Sequence, residues 1–245
     1  MQYIKGLDAF DGRNHTAVTL GKFDGLHRGH QKLLNRIMKY AQKEDCDSVV
    51  CAFDMDRDCL MTNEERRAFL EDKVDYLIEI PFTREMMEME AEKFIDEILH
   101  KKLHASHIVV GTDFNFGHEK RGNHQMLEKY AAKYGYTVDV VEKAYYKDRE
   151  ISSTYIRELL LDGNVPLANE LLGYPYEITS VVEHGQQLGR TLGFPTMNLA
   201  PQEKKILPKY GVYACRVLVD GVWYGGVGNA GVKPTVAQEK RRLFE

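Results

Sequence analysis

The stretch of this sequence that decides the fold reads Gly21-Lys22-Phe23-Asp24-Gly25-Leu26-His27-Arg28-Gly29-His30. It follows an apolar run, Ala17–Leu20, and leads into Gln31–Gln42, where apolar residues recur at the spacing of one helix face. A glycine-rich loop between a parallel strand and a helix presents backbone N–H groups and the positive end of the helix dipole to a bound anion. Because His27 and His30 are three residues apart, both imidazoles can face that anion. The stretch therefore predicts a phosphate site at the start of a helix.

Short apolar runs alternate with amphipathic stretches on both sides of this loop. Five runs are rich in Val and Ile, as is typical of strands buried on both faces, and are predicted to be strands: Ala17–Leu20, Ser48–Phe53, Tyr76–Ile80, His107–Gly111 and Thr137–Val141. A second amphipathic helix is predicted over Met86–Leu103. This alternation favours an α/β fold with a doubly wound, mostly parallel sheet.

A different pattern begins after Leu172-Gly173-Tyr174-Pro175, where short strands are separated by Gly, Pro and Asp-Gly. The runs Tyr213–Val219 and Val222–Gly226 flank Asp220-Gly221, which is a strong signal for a two-residue hairpin. We predict antiparallel β structure here. The domain boundary is placed near Gly173, giving one domain over residues 1–172 and another over residues 173–245.

Composition and charge exclude several classes of protein. The formal net charge is −4, and no segment is dense enough in Lys and Arg to follow a nucleic acid backbone, so no nucleic acid partner is expected. The N-terminus has no apolar signal core, and no apolar run approaches the roughly 20 residues of a membrane helix. We therefore expect a cytoplasmic protein with no membrane partner.

The four cysteines also indicate a reducing compartment. They show neither a C-x-x-C pair nor histidines at zinc-finger spacing, so a structural zinc is not expected. Cys51 and Cys215 lie in apolar runs, where a free cysteine behaves as a small hydrophobic residue.

A second glycine-rich stretch reads Gly189-Arg190-Thr191-Leu192-Gly193-Phe194-Pro195-Thr196-Met197-Asn198. Two glycine loops of different design suggest two nucleotide sites, although Phe194-Pro195-Thr196 alone is also compatible with a rigid turn. The nearby Gly226–Gly231 spells G-x-G-x-x-G, but Lys233-Pro234 follows it in place of a helix. We therefore predict no dinucleotide site there.

The first stretch closely resembles the signature of the nucleotidyltransferase superfamily, in which H-x-G-H holds the phosphates of ATP or CTP. Its longer form, G-x-F-D-G-x-H-x-G-H, is similar to the adenylyltransferase half of bacterial bifunctional riboflavin kinase/FAD synthetases. Further segments that support the narrower assignment are Val110–Gly117, Arg121-Gly122-Asn123 and Ile151–Arg157. The resemblance implies adenylyl transfer from ATP to FMN, giving FAD and pyrophosphate.

The same resemblance implies roles for individual residues. His27 and His30 stabilise the phosphates in the transition state, while Arg157 and nearby hydroxyl groups hold a pyrophosphate bridged by Mg²⁺. The ATP-binding residues of this domain are Gly21, Phe23, Asp24, Gly25, Ser152, Ser153 and Thr154. Flavin binding is assigned to Asp113, Asn115 and Phe116. Ser152, Ser153 and Thr154 are also natural N-cap residues for a helix running toward Leu161, and a capped surface helix with a solvated Arg157 is the alternative.

One segment departs from the family pattern. After the second strand the family usually carries F-x-P-H-P beside the active site, whereas this chain reads Phe53-Asp54-Met55-Asp56-Arg57-Asp58. The change replaces a stiff loop by a charged one without proline. If the family loop shapes the flavin side of the site, this predicts a slower, altered or lost adenylyltransferase.

The second stretch, together with Pro208–Ala214 and Gly228–Thr235, closely resembles the riboflavin kinase domain, which is a small antiparallel β-barrel. The resemblance implies phosphorylation of riboflavin to FMN by ATP. In this domain the ATP-binding residues are Gly189, Arg190 and Gly193. Thr196 and Asn198 are the implied Mg²⁺ ligands, and a hydroxyl and an amide oxygen are hard ligands that suit this ion.

Glu245 aligns with the glutamate that acts as the base in this kinase family, and a surface glutamate is the alternative. The family continues with further strands and a helix, without which the barrel has an open edge and no following chain orients the Glu245 carboxylate. We therefore expect an incomplete barrel and impaired flavokinase activity for this chain.

Two other functions remain open. The altered Phe53–Asp58 loop permits a nucleotidyltransferase with another phosphate acceptor. A flavin-nucleotide binding or regulatory protein without turnover is the second, although His27, His30 and Arg157 argue against it, because binding alone does not require contacts to the transition state. Self-association is also left open.

Overall fold

The computed structural model describes residues 1–54, 58–183, 193, 196–234 and 240–245. The chain divides into two compact units, the first comprising Met1–Arg57 and Asn63–Ser152 and the second comprising Asp58–Thr62 and Ser153–Glu245. The domain boundary near Gly173 stays a prediction, because compactness groups residues 153–172 with the second unit without marking where a domain ends.

The first unit is built on a parallel sheet of six strands. In chain order its elements are β1 (Gln2–Lys5), β2 (Thr16–Gly21), α1 (Arg28–Lys43), β3 (Asp47–Asp54), α2 (Asn63–Leu70), β4 (Tyr76–Pro81), α3 (Arg84–Glu88), α4 (Ala91–Lys93), a π-helix (Phe94–Lys102), β5 (Ala105–Gly111), β6 (Asn115–Phe116), β7 (Gly122–Asn123), α5 (His124–Tyr134), β8 (Thr137–Val141), β9 (Tyr145–Tyr146) and β10 (Arg149–Glu150). The strand order in the main sheet is β1-β4-β3-β2-β5-β8, and all neighbours are parallel. The five predicted strands and the α/β fold class are confirmed.

This strand order creates a switch point beside β2. From β2, the next two strands, β3 and β4, are added on one side of it, toward the edge strand β1. The following strand, β5, is then added on the opposite side of β2. In open α/β sheets, ligands bind at the carboxyl ends of the strands that flank such a reversal. The loop after Gly21 and the segment after Gly111 therefore meet at the position where a ligand is expected.

Helices cover both faces of the sheet. On one face, strand residues such as Val18, Cys51 and Ile78 pack with Phe94 and Leu99 of the π-helix in a single hydrophobic core. Helix α1 packs against β2, β3 and β5 with its own buried side chains outside that core. Burial raises the pKa of the Cys51 thiol, and all four cysteines are free, as expected.

The prediction of one continuous helix over Met86–Leu103 is wrong. The chain leaves the helix at Met89 (φ −67, ψ 124) and stays extended at Glu90 (φ −60, ψ 147) before α4 and the π-helix begin. The carbonyl of Met89 accepts a hydrogen bond from the N–H of His118 at 2.7 Å, so a tertiary partner replaces the helical one. The apolar spacing is nevertheless the correct signal for burial, since Phe94 lies in the core.

The second unit combines two helices with an antiparallel sheet. Its elements are α6 (Ser153–Asp162), α7 (Val165–Leu172), β11 (Val182–Glu183), β12 (Asn198–Leu199), β13 (Gly211–Val219), β14 (Val222–Pro234) and β15 (Lys240–Phe244). The strand order is β11-β12-β15-β14-β13, with antiparallel neighbours. The predicted hairpin is confirmed, because Val219 pairs with Val222 across Asp220 (φ 48) and Gly221 (φ 80), as a type I′ turn requires. Gly226–Gly231 lies inside β14 and so forms part of a strand.

Among the helices that the structure describes, none combines the length and the apolar character needed to cross a membrane.

Candidate functional site

The loop between β2 and α1 is held in a strained and buried conformation. Phe23 (φ 46) and Leu26 (φ 35) adopt left-handed backbone angles that are costly for residues with a side chain, and both side chains are fully buried. The side-chain amide of Gln31 donates to the carbonyl of Leu26 at 2.8 Å. Packing therefore holds the loop against its strain, a pattern that is common at functional sites.

The N-terminus of α1 is not capped by the side chain of its N-cap residue. His27 is the N-cap residue with an extended backbone (φ −62, ψ 172), and its side chain makes no capping hydrogen bond. The backbone N–H groups of a helix's first turn have no acceptor within the helix, and a bound anion can supply one. The predicted phosphate site is thus compatible with the local backbone.

His27 and His30 form a stacked pair. Their ring centroids are 3.8 Å apart with an interplanar angle of 24°, and the Phe23 ring packs edge-on against His30 with ring centroids 5.2 Å apart. Gly29 has a steric reason to be glycine, because an added Cβ would lie 3.1 Å from both Cε1 and Nδ1 of His27. The spacing of H-x-G-H therefore places one ring on the other, and a side chain at position 29 would crowd the His27 ring.

Both imidazoles are poor bases in this environment. Burial lowers the pKa of His27 from 6.5 to about 4. Burial lowers the pKa of His30 well below its usual value, and a charge on His27, when that ring is protonated, and the charge of Arg66 lower it further. Nδ1 of each ring is enclosed and has no hydrogen-bond partner among the described residues. Since an enclosed N–H without an acceptor is the costlier defect, we assign the neutral tautomer with the proton on Nε2, which is a hydrogen-bond donor.

The predicted flavin residues follow β5, on the other side of the switch point. Asp113 is exposed, and the side-chain amide of Asn115 donates to its carbonyl at 2.7 Å. Phe116 is instead buried in the core, 5.2 Å from Phe94 and 5.5 Å from Phe114 between ring centroids. Asp113 and Asn115 are therefore the accessible members of this set, and the flavin assignment stays a prediction.

Sequence reasoning missed Lys143, which joins two of the predicted segments. Its Nζ lies 3.2 Å from Oδ2 of Asp113 and 2.8 Å from Oε2 of Glu150. The hydrogen bond that Lys143 donates to Glu150, followed by the one that it donates to Asp113, raises the pKa of Lys143. A lysine in a loop carries no local motif, so only the folded arrangement shows that it connects the end of β5 to the strand before Ser152.

The segment Ile151–Arg157 forms a helix start, as predicted. The N–H of Ile151 donates to the carbonyl of Ala144 at 2.8 Å in the first unit, and α6 begins at Ser153 with Thr154 in its first turn. In the second unit, the guanidinium of Arg157 donates to the carbonyl of Asp58 at 3.2 Å. The roles of these residues toward pyrophosphate stay predictions.

The second glycine stretch is described in part. Gly189 and Arg190 lie outside the described residues. The same holds for residues 55–57, in the Phe53–Asp58 segment that departs from the family pattern. Gly193 has φ 81, a left-handed angle that favours glycine. Asn198 is buried in β12.

Glu245 is held in place, which corrects the expectation that its carboxylate lacks orientation. Thr196 Oγ1 donates to Glu245 Oε1 at 2.8 Å. The backbone of Glu245 also pairs with Asn229 of β14 through N–H···O bonds of 2.7 and 3.0 Å. The predicted metal ligand and the predicted base are therefore neighbours, and a strand pairing that the sequence pattern did not indicate supplies the orientation.

Known proteins resemble this chain over both the adenylyltransferase and the kinase segments. The family described as FAD synthetase matches residues 11–155, and the family described as riboflavin kinase matches residues 172–245. A bifunctional riboflavin kinase/FMN adenylyltransferase of Escherichia coli K12 is 36% identical, over 92% of this chain and 76% of its own length. The enzyme of the same description from Buchnera aphidicola subsp. Schizaphis graminum is 34% identical, over 100% and 83%.

A solved structure from Streptococcus pneumoniae, described as a macrolide-efflux protein, superposes with a TM-score of 0.87. It is 30% identical and covers 100% of this chain and 83% of its own. The family matches and the two curated relatives extend over both units. The chain therefore belongs to the bifunctional riboflavin kinase/FMN adenylyltransferase family.

Proposed function

We propose that the first unit transfers the adenylyl group of ATP to FMN. The observation that carries this proposal is the stacked pair of neutral imidazoles at the uncapped start of α1, beside the switch point of a parallel sheet. A phosphate oxygen of FMN attacks the α-phosphorus of ATP, and the bond from that phosphorus to the bridging oxygen of the leaving pyrophosphate breaks. No protein atom forms a covalent bond in this reaction.

The residues of the first unit contribute position and hydrogen bonds. The Nε2–H groups of His27 and His30 donate to phosphate oxygens whose negative charge grows in the transition state, and the N–H groups of the first turn of α1 add to this. Asp113 and Asn115 hold the isoalloxazine side of FMN across the switch point. Ser152 stands before α6, where its hydroxyl joins the set that holds pyrophosphate.

From the family resemblance, Ser153, Thr154 and Arg157, on the first turns of α6, are also proposed to hold pyrophosphate. Arg157 supports this assignment because its guanidinium is a fork of donors suited to phosphate oxygens. Mg²⁺ is also part of the proposal. When bound to the pyrophosphate oxygens, it neutralises their charge.

The test is FAD formation from FMN and Mg-ATP, followed by chromatographic separation of the flavins. His30→Ala should lose at least 100-fold in kcat/KM, in the range found when one transition-state donor is removed. His15→Ala is the matched control, since His15 is exposed and lies before β2, and it should keep full activity. Tight FMN binding without formation of FAD would instead support a binding or regulatory protein. Turnover only with a phosphate compound other than FMN would support a nucleotidyltransferase with another acceptor.

We also propose that the second unit phosphorylates riboflavin to FMN. The contact that supports this is the hydrogen bond from Thr196 to Glu245 at 2.8 Å, because it joins the predicted metal ligand to the predicted base. The Glu245 carboxylate accepts the proton of the ribityl 5′-hydroxyl while that oxygen attacks the γ-phosphorus of ATP and ADP leaves. Gly189, Arg190 and Gly193 are proposed to cover the ATP phosphates.

The donors at this second site fit Mg²⁺. The ion prefers oxygen ligands in octahedral geometry. The hydroxyl of Thr196 and the side-chain amide oxygen of the buried Asn198 are oxygen donors of this kind. Thr196 and Asn198 would hold the ion, which supplies charge neutralisation for the transferred phosphoryl group when bound.

Conversion of riboflavin to FMN by Mg-ATP tests the kinase, with Glu245→Gln and Thr196→Val as variants. Both should lower kcat by at least tenfold, because one removes the base and the other a metal ligand. Glu203→Gln, an exposed residue of the same unit, is the control. A wild-type rate in Glu245→Gln would remove the assigned base.

Chelation of Mg²⁺ should abolish both FAD formation and FMN formation, and added Mg²⁺ should restore them. Activity that persists in excess chelator would contradict the metal proposal.

We also propose a cellular location, the class of partner and self-association for this protein. Four free cysteines and a net charge of −4 support a cytoplasmic location and small-molecule partners in preference to nucleic acid. Exposed apolar residues of β13 and β14, such as Val212 and Val227, support self-association. Sedimentation at increasing concentration tests the latter, and a constant monomer would exclude it.

A further inference from the structure

Lys205 is a buried lysine of the second unit. It is only 2% exposed, whereas lysine is almost never fully buried unless its ammonium has a partner. Its Nζ donates a hydrogen bond to the carbonyl of Leu60 at 2.8 Å and lies 4.4 Å from the centroid of the Tyr176 ring. Because an ammonium is costly to remove from water, it holds such partners firmly. Lys205 therefore ties the segment that contains Leu60 to its own part of the chain.

The segment that Lys205 holds is Asp58–Thr62. It belongs to the second unit, although the chain before and after it belongs to the first. The N–H of Cys59 donates to the carbonyl of Lys204 at 2.8 Å, and the N–H of Ile206 donates to the carbonyl of Cys59 at 3.0 Å. Cys59 and Lys205 thus form a parallel β-bridge. Two backbone hydrogen bonds and the lysine side chain together fix this segment.

Tyr176 fastens the other side of this bridge to α7. Its hydroxyl donates to the carbonyl of Ile206 at 2.6 Å, and its backbone N–H donates to Oδ1 of Asn169, which lies in α7, at 2.8 Å. Since the ring of Tyr176 also contacts the ammonium of Lys205, the same residue supports both the strand and the buried charge. The bridge therefore rests on a helix.

The segment that Lys205 holds also carries an acceptor for Arg157. Nη2 of Arg157 donates to the carbonyl of Asp58 at 3.2 Å, and Asp58 directly precedes the bridge residue Cys59. A guanidinium is planar with five N–H donors, so a hydrogen bond at one nitrogen helps to fix the plane in which the others point. Restricting a long side chain before a ligand binds also reduces the entropy that binding must overcome. The position of the Asp58 carbonyl therefore influences the orientation of Arg157.

We propose that Lys205 is a positioning residue for Arg157 in adenylyl transfer, because its ammonium holds the segment whose Asp58 carbonyl orients the guanidinium. This rests on the proposed function of the first unit and on the pyrophosphate role proposed for Arg157. Lys205 itself is enclosed, so its effect passes through Arg157. It lies within residues 172–245, which match the riboflavin kinase family, so the proposal gives a residue of that segment a part in the other reaction.

The first experiment is a double-mutant cycle on the full chain, measured as FAD formation from FMN and Mg-ATP. Lys205→Met keeps most of the side-chain length and removes the ammonium. It should lower kcat about tenfold, since misplacing a group that contacts the reacting phosphates costs rate, while KM for FMN stays near the wild-type value. Lys205→Arg, which keeps a charged donor, should recover part of the loss. In the Arg157→Gln background, Lys205→Met should cause no further loss.

The matched control is Lys204→Met. Lys204 is the exposed neighbour of Lys205, and it joins the bridge through its backbone carbonyl, which the substitution keeps. This variant should keep the wild-type kcat. A wild-type kcat in folded Lys205→Met would overturn the proposal, as would equal losses from Lys205→Met with and without Arg157. If Lys205→Met does not fold, Tyr176→Phe replaces it, because that change removes the hydrogen bond to Ile206; an unchanged kcat would then overturn the proposal.

The second experiment observes Arg157 without turnover. The ¹⁵N signal of its guanidinium should shift in Lys205→Met, and its heteronuclear NOE should report greater side-chain motion, whereas Lys204→Met should leave both unchanged. An unchanged Arg157 signal in folded Lys205→Met would overturn the proposal. If the wild-type chain forms no FAD, the proposed function fails, while this measurement still decides whether Lys205 orients Arg157.

Discussion

Gly29→Ala tests whether the stacked histidines are catalytic or only structural. In α1 this change should add up to about 1 kcal/mol of stability, since alanine has the better helix propensity. Against this, the new Cβ would lie 3.1 Å from Cε1 and Nδ1 of His27 and 3.7 Å from the carbonyl oxygen of Ile151. A contact of 3.1 Å is shorter than the optimal separation of about 3.5–4.0 Å, so the His27 ring must move by a few tenths of an ångström.

The ring has little space into which to move. His30 is already stacked on it at 3.8 Å, and His27 is only 6% exposed. Turning a side chain off its preferred rotamer costs about 0.5–1.5 kcal/mol, which nearly cancels the helix gain. We therefore expect the free energy of unfolding to change by less than about 1 kcal/mol, or about 2–4 °C in Tm for a chain of this size.

Catalysis should respond more strongly than stability. A displacement of about 1 Å costs roughly 100-fold in rate, so a few tenths of an ångström should cost about tenfold, equivalent to about 1.4 kcal/mol of transition-state stabilisation. The assay measures kcat/KM for FAD formation from FMN alongside Tm. Gly225→Ala is the control, because an added Cβ there meets nothing within 4 Å. Wild-type kcat/KM in folded Gly29→Ala would refute the reasoning that places His27 at the reacting phosphates.

Three further predictions concern pH, the kinase strand and the flavin side. The pKa of His27 falls from 6.5 in the unfolded chain to about 4 in the folded chain, so the unfolded state binds more protons and the free energy of unfolding drops by about 3 kcal/mol as pH falls from 6.5 to 4. Urea unfolding at pH 7 and pH 4.5 should show that His27→Gln loses less stability than wild type over this range. An equal loss of stability would contradict the prediction. Gly228→Ala would place a Cβ 2.3 Å from the ring of Phe244, next to Glu245. It should therefore displace Glu245 and abolish FMN formation, while FAD formation from FMN persists. Loss of both reactions, or of neither reaction, would argue against this. Lys143→Met removes the cation between Asp113 and Glu150 and should raise KM for FMN several-fold with a smaller change in kcat; an unchanged KM would detach Lys143 from the flavin side.

Local patterns in the sequence predicted the parallel sheet, because its strands are buried on both faces and carry continuous apolar runs. They failed where a partner distant in sequence decides the structure. The edge strand β1 buries only Ile4 and so lacks an apolar run. The helix predicted over Met86–Leu103 is interrupted because the Met89 carbonyl bonds to His118, which no helical period can indicate.

The candidate site shows the same division. His27, His30 and Gly29 could be predicted, since their chemistry depends on spacing within one helix turn. Lys143 could not, because it stands out only through its ion pairs with Asp113 and Glu150, which lie in other segments of the chain.

The two predicted sites use opposite electrostatic arrangements. At the first, burial lowers the pKa of both histidines and so favours their neutral forms. At the second, Thr196 meets an anionic carboxylate, Glu245, which must keep its charge to accept a proton. Acid should therefore impair adenylyl transfer by protonating the imidazoles. His27 and His30 belong to the proposed adenylyl-transfer site and Glu245 to the proposed kinase site, so a substitution at Glu245 should leave the acid limb of FAD formation unchanged.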